Sequence, residues 1–273
     1  EASYPLVRTQ AATLRAGAGL DLIDQRVRFN GLKLSNDKLR VAFVRMDFDR
    51  LDRASLGSRA GYSAAEPLWR VGGRIELRQG LDLLGATQPC GPAFALCTAP
   101  GAVPPSRLEG DPTAALLRLE ASGEYRPSPL FTVAAGLRAQ TTGDPLLSFE
   151  QYSAGNYTIG RGYDPGTLLA DRGIGAQVEL RYGSLVPPGP RKLAWQAFAF
   201  IDAARVSEAG RIPILAGGRS LASAGGGLRA AVGDGARLEA VLALPLESAG
   251  VAGKRGDPRL LLSFATRFWP WSF

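Results

Sequence analysis

Residues Ala115 to Arg126 read Ala-Leu-Leu-Arg-Leu-Glu-Ala-Ser-Gly-Glu-Tyr-Arg. Successive side chains of a strand point to opposite faces. Leu117, Leu119, Ala121 and Tyr125 therefore share one face, and Arg118, Glu120, Ser122, Glu124 and Arg126 share the other. The same division recurs along the chain. Val71, Gly73, Ile75 and Leu77 oppose Arg70, Arg74, Glu76 and Arg78; Leu14 to Leu22 oppose Arg15 and Asp21; Ala42 to Phe48 oppose Arg45 and Asp47. Phe131 to Leu137 oppose Thr132 and Arg138, and Ile174 to Tyr182 oppose Gln177, Glu179 and Arg181. Further segments cover approximately residues 192 to 204, 220 to 232, 235 to 247 and 257 to 268, which makes about ten two-faced strands by alternation.

The polar face decides the class. In a soluble sandwich it would mix Ser, Thr and Lys; here it is repeatedly Arg with Glu or Asp. A planar guanidinium bridges several carboxylates on neighbouring strands, which suits a wet, ion-paired interior, with the apolar face left for lipid. Mean hydropathy is −0.01 and no window holds eighteen uncharged apolar residues, so a spanning helix is excluded while a spanning barrel is not. Connections also alternate in length. Arg126-Pro-Ser-Pro129 and Gly233-Asp-Gly235 are tight, whereas 81 to 112, 143 to 172 and 205 to 219 are long, as in outer-membrane barrels. Residues 52 to 66 depart from that scheme. Leu260, Leu262, Phe264, Thr266 and Phe268 share a face, and the chain closes on Trp269-Pro-Trp271-Ser-Phe273. The expected fold is an all-β, transmembrane antiparallel β-barrel with a long inward-folded loop.

A net charge of +7 with no histidine removes the imidazole that general-base or metal chemistry would use. Cationic residues are spread among Asp and Glu rather than gathered on one face, so nucleic acid is not the expected partner. Cys90 and Cys97 lack companion ligands for zinc; a local disulfide in an oxidising compartment is expected, the alternative being two free loop thiols. No Gly-x-Ser-x-Gly elbow is present. Gly225-Gly-Gly227 is not followed by Lys-Ser/Thr and reads as a place of close backbone approach. No enzyme activity, metal or cofactor is expected.

The loop from Leu147 to Gly173 is too long for a bare connection. It holds aromatic residues, and Arg161 sits between Gly160 and Gly162. A buried arginine needs carboxylates. Glu179 and Asp202 lie on the polar parity of the two following strands.

Gln151 to Gly155, Gly160-Arg-Gly-Tyr163, Gly175 to Glu179 and Phe200-Ile-Asp202 resemble the signature segments of two-partner secretion transporters, the ShlB/FhaC/HecB branch of the BamA superfamily. The resemblance implies that Arg161, with Gly162 and Tyr163, tips an extracellular loop folded into the barrel, where Arg161 meets Asp202 with Glu179 in support. It implies a bacterial outer-membrane translocator exporting a partner exoprotein, with loop 147–173 as plug or gate; the alternative is a BamA-like insertase. It further implies contact with outer-membrane lipid and lipopolysaccharide, and a C-terminal assembly signal, Trp271 and Phe273, read by the barrel-assembly machinery. Tyr4 to Arg8 resembles a periplasmic turn of the family. On this reading residues 1–273 are the C-terminal part of one barrel of sixteen strands, five strands precede the loop, and the first strands and POTRA domains are not in the chain. Two positions depart from the pattern. Gly160 stands where an aliphatic residue is usual, and Ala204 where a glycine is usual; these loosen what the resemblance implies about local packing and leave the charge pair untouched.

Overall fold

The computed structural model describes residues 1–57, 60–155, 159–189, 191–209, 218–233, 235–249 and 256–267. Strands β1 (Ala2–Arg8), β2 (Ala12–Phe29), β3 (Leu32–Leu51), β4 (Trp69–Gly80), β5 (Ala115–Ser128) and β6 (Phe131–Thr142) follow one another in a single sheet. The short β7 (Tyr152–Ala154) and β8 (Leu168–Ala170) pair with each other outside it. The main sheet then resumes with β9 (Arg172–Gly183), β10 (Leu193–Ser207), β11 (Arg219–Val232), β12 (Ala236–Pro245) and β13 (Arg259–Thr266). All eleven strands of this sheet are antiparallel to their neighbours, with β6 paired directly to β9. No helix among the described residues is long and apolar enough to cross a membrane.

Burial is inverted relative to a water-soluble sheet. Val178 is 40% exposed and Leu180 48%, while Glu179 between them is 5% exposed. Likewise Ile75 and Leu77 are each 50% exposed, against 8% for Glu76 and 5% for Arg78. The charged parity faces inward and the aliphatic parity faces out, as a barrel wall in lipid requires. On β13, Leu260, Leu262 and Phe264 all lie exposed on the apolar face.

Two expectations need correcting. Tyr4 to Arg8 is not a turn but part of β1, with Tyr4 opposite Ala16. Pro5 hides the strand, since it donates no ladder hydrogen bond, and the register shifts between Pro5 and Val7. Among the described residues the main sheet therefore has eleven strands, and six rather than five precede the long loop. Residues 52 to 66, too long for a tight turn, are structured: the Ser55 hydroxyl donates to Asp52 at 2.6 Å, and Ser184 donates to Glu66 at 2.8 Å. Phe268, Trp269, Trp271 and Phe273 lie outside the described residues.

The β2–β3 hairpin is the tallest element. Its turn is Asn30-Gly31, with φ of 46° and 81°, the double positive φ that matches a two-residue hairpin to strand twist.

Candidate functional site

The long loop folds as a strap over the charged face, and local sequence explains each attachment. Tyr152 to Ala154 and Leu168 to Ala170 alternate well enough to pair, Tyr152 with Ala170 and Ala154 with Leu168. This small hairpin presents Tyr152, Ala154, Leu168 and Ala170 to Ala204 and Val206 of β10 and Leu221 of β11, with Ile159 and Tyr163 completing a buried apolar cluster.

Beyond it the chain places Arg161 against the wall. Its Nε donates to Asp202 at 3.1 Å, one Nη to Glu179 at 2.6 Å, and the other Nη to Gln177 at 3.4 Å. The guanidinium carbon lies 3.6 Å from the centre of the Phe200 ring, a cation–π seat that adds to the charge pairing. Asp202 also accepts from the Ser223 hydroxyl, and Ser223 accepts from the Gly162 amide at 3.1 Å. Glu179 is shared further. Arg181 donates to it at 2.7 Å and Arg229 at 3.1 and 3.2 Å. Every charge is thus opposed, the condition under which buried ions are tolerated.

The glycines are needed for contact. Gly160 has φ of 104°, and a Cβ there would stand 2.6 Å from Leu221. Leu221, almost fully buried, fills the space that an aliphatic residue at 160 would occupy. A Cβ on Gly175 would meet the Ala204 methyl at 3.2 Å. At both departures the packing is close: Leu221 fills the volume missing at Gly160, and the extra methyl of Ala204 is accommodated against Gly175. Tyr163 fastens the next step: its hydroxyl lies 2.8 Å from the carbonyls of both Ala222 and Glu247 and accepts from the Glu247 amide at 3.0 Å.

The other limb of the strap is anchored on the far side of the face. Glu150, 4% exposed, accepts from Arg78 of β4 at 2.9 and 3.2 Å and from Arg118 of β5 at 2.7 Å. Gln140 of β6 donates to the Glu150 carbonyl at 2.8 Å. Leu147 sits with Leu39 and Val41 of β3, and Leu146 with Ala114 and Leu116.

At the root, Asp171 is fully buried. Arg107 donates to it, as do the Leu146 and Ala209 amides, each at 2.9 Å. Burial pushes the Asp171 carboxyl up, but Arg107 and the two amides outweigh it and hold the group below the usual carboxylate range. Glu208, 3.2 Å from Arg107, is pushed the other way by burial and by neighbouring Asp171.

Gly160, Arg161, Gly162, Tyr163, Glu179 and Asp202 therefore converge, whereas Cys90 and Cys97, bonded to each other with Cα atoms 5.1 Å apart, lie in the β4–β5 connection. Glu150, Asp171 and Ser223 join the site without a motif to announce them. The available signal is the surplus of arginine on the polar parity of β4 and β5, which calls for an acid from elsewhere.

A curved-out apolar face, a charged inner face and a strap fixed across it define an outer-membrane β-barrel with an inward-folded loop. The chain belongs to the haemolysin secretion/activation protein family ShlB/FhaC/HecB, whose family model matches residues 1–230. Among solved structures it is similar to CdiB from Escherichia coli, with 16% identity, a TM-score of 0.73 and coverage of 97% of this chain and 44% of that one. For CdiB from Acinetobacter baumannii the identity is 17%, the TM-score 0.64 and the coverage 96% and 40%. BamA from Haemophilus ducreyi lacking POTRA domains 1–3 gives 14%, a TM-score of 0.55, and 96% and 53%. The chain thus spans less than half the length of either CdiB structure. No curated protein matches its sequence. Members of this family reside in the outer membrane of Gram-negative bacteria, and so does this barrel.

Proposed function

We propose that the protein is a two-partner secretion translocator that passes an unfolded exoprotein through its barrel, with loop 147–173 as the gate. One observation carries the reading: Arg161, on a loop and not on the wall, is held by Asp202 and Glu179 from two wall strands. Such a contact is strong enough to keep the strap in place and local enough to be exchanged for contacts with a passing chain. The surrounding Arg, Glu and Gln side chains make a hydrated lining with little apolar surface for an extended polypeptide to adhere to. Cargo folding outside the cell would supply the energy. The likeness to BamA favours an insertase less, since it has the lower TM-score and the family model is that of secretion and activation proteins.

The test uses the full-length protein with Asp202→Asn. Removing one partner of a buried pair costs about 3–5 kcal/mol, so single-channel recordings are expected to show more frequent opening and secretion of the cognate exoprotein is expected to change. Unchanged conductance together with unchanged secretion sinks the gating role.

A further inference from the structure

Above the apolar band, the outward face of the β2–β3 hairpin turns cationic. On β2 this parity runs Leu20, Leu22, Asp24, Arg26, Arg28; the residues opposite Leu22, Asp24, Arg26 and Arg28 on β3 are Arg40, Lys38, Asn36 and Lys33. The register shift between Val27 and Arg28 brings Lys33 onto this face. Five cations thus meet a single carboxylate. That carboxylate, Asp24, is already taken by Arg40 at 2.8 Å, which leaves Arg26, Arg28, Lys33 and Lys38 without an ion pair among the described residues. These four line one cavity of about 320 Å³ together with Ser35, Asn36 and Val103. The Asn36 Oδ1 is buried there and has no hydrogen-bond partner among the described residues.

Like charges gathered on one face repel one another and raise the local positive potential, so this face attracts an anion. The position says which anion. The face is continuous with lipid-exposed Leu20, Leu22 and Val44, and the hairpin turn lies at the same end of the sheet as the long loop, so the cations stand at the level of the outer-leaflet headgroups. Arg matches phosphate oxygens bidentately, and basic clusters beside a membrane-spanning segment bind anionic headgroups.

We infer that this face is a binding site for a phosphorylated glycolipid of the outer leaflet, with Arg26, Arg28, Lys33 and Lys38 on its phosphates. The inference does not depend on the gate.

The experiment is native mass spectrometry of the full-length protein in detergent, titrated with bis-phosphorylated lipid A. Arms with dephosphorylated lipid A and with inorganic phosphate identify the ligand. The variant Arg26→Gln/Arg28→Gln/Lys33→Gln/Lys38→Gln is compared with a control neutralising exposed Arg53, Arg191, Lys192 and Arg267 at the opposite end of the sheet. Heat-modifiability on gels verifies that each barrel is folded. Lipid A is expected to bind wild type and control alike, and at least about tenfold more weakly to the variant, given the contribution of each surface cation. Dephosphorylated lipid A is expected to bind as weakly to wild type as lipid A binds to the variant. Equal binding by the variant, equal binding of dephosphorylated lipid, or saturation by inorganic phosphate with no lipid A bound would each overturn the assignment.

Discussion

A single arginine shows how much a charged side chain demands of its surroundings. Arg161 uses two carboxylates, an amide oxygen and an aromatic ring, and its approach runs through Gly160 at φ 104°. That position admits no side chain without displacing Leu221. Gly160→Val is expected to unseat the arginine by combining left-handed strain with overpacking, at a cost of about 1–3 kcal/mol from each source. Thermal unfolding in detergent, with proteolysis of the loop as a second readout, checks it. Leu221→Ala in the same chain should restore part of the loss, since it removes the clash and leaves the strain. The charge constellation was legible from sequence because Glu179 and Asp202 have the right parity. Phe200 was visible two residues before Asp202, yet its role was not, because stacking depends on the strand opposite. Gly225 and Gly227 face Phe200 and Phe198 across the β10–β11 pair, and their missing side chains let those rings lie against the neighbouring strand. The Gly225-Gly-Gly227 run thus provides the close approach its composition suggests.

At the scale of elements, alternation located most strands because the two faces have such different solvents. It failed at β1, where Pro5 and a register shift interrupt the period. Attachment of the strap was less legible than its tip. Glu150 meets Arg78 and Asp171 meets Arg107 across 72 and 64 residues, and a lone acid carries no signal of so distant a partner. The Asp171 hub ties the β4–β5 connection, the strap and the start of the β10–β11 connection together, and it is pH-sensitive in both directions. Asp171 has a depressed value, so its stabilising contribution is present above the ordinary carboxylate range near pH 4 and is lost as the pH falls through the depressed folded value. Glu208 has an elevated value, so its protonated form is favoured in the fold and raising the pH through that value costs stability. Hydrogen-exchange protection of residues 143–171, taken relative to the intrinsic rate at each pH, is expected to be greatest in the weakly acid range and to fall on strong acidification. Asp171→Asn should remove the acid-side change; an unaltered profile in that variant would count against the hub.

For the whole molecule, the inverted burial makes one parity depend on lipid and the other on water. Val178 and Ser122 lie on opposite faces of the same sheet. Val178→Arg is expected to destabilise the barrel by about 2–4 kcal/mol if the position lies near the bilayer midplane, read as the urea midpoint in lipid vesicles. Ser122→Arg, beside Glu120 and Arg138 on the polar lining, is expected to leave that midpoint nearly unchanged.

The strap has its tip on β9 to β12 and its root and near limb on β3 to β6. Opening the tip leaves the root tethered, so the displaced segment stays close to its seat, at an effective concentration on the order of millimolar for a short flexible link. Re-engagement is then a unimolecular collision, with loop closure on a scale of roughly tens to hundreds of nanoseconds before side-chain pairing. On the gating proposed above, such a strap flickers: it would stay open only while a threaded chain occupies the seat, and the tether that permits opening would also return it to that seat.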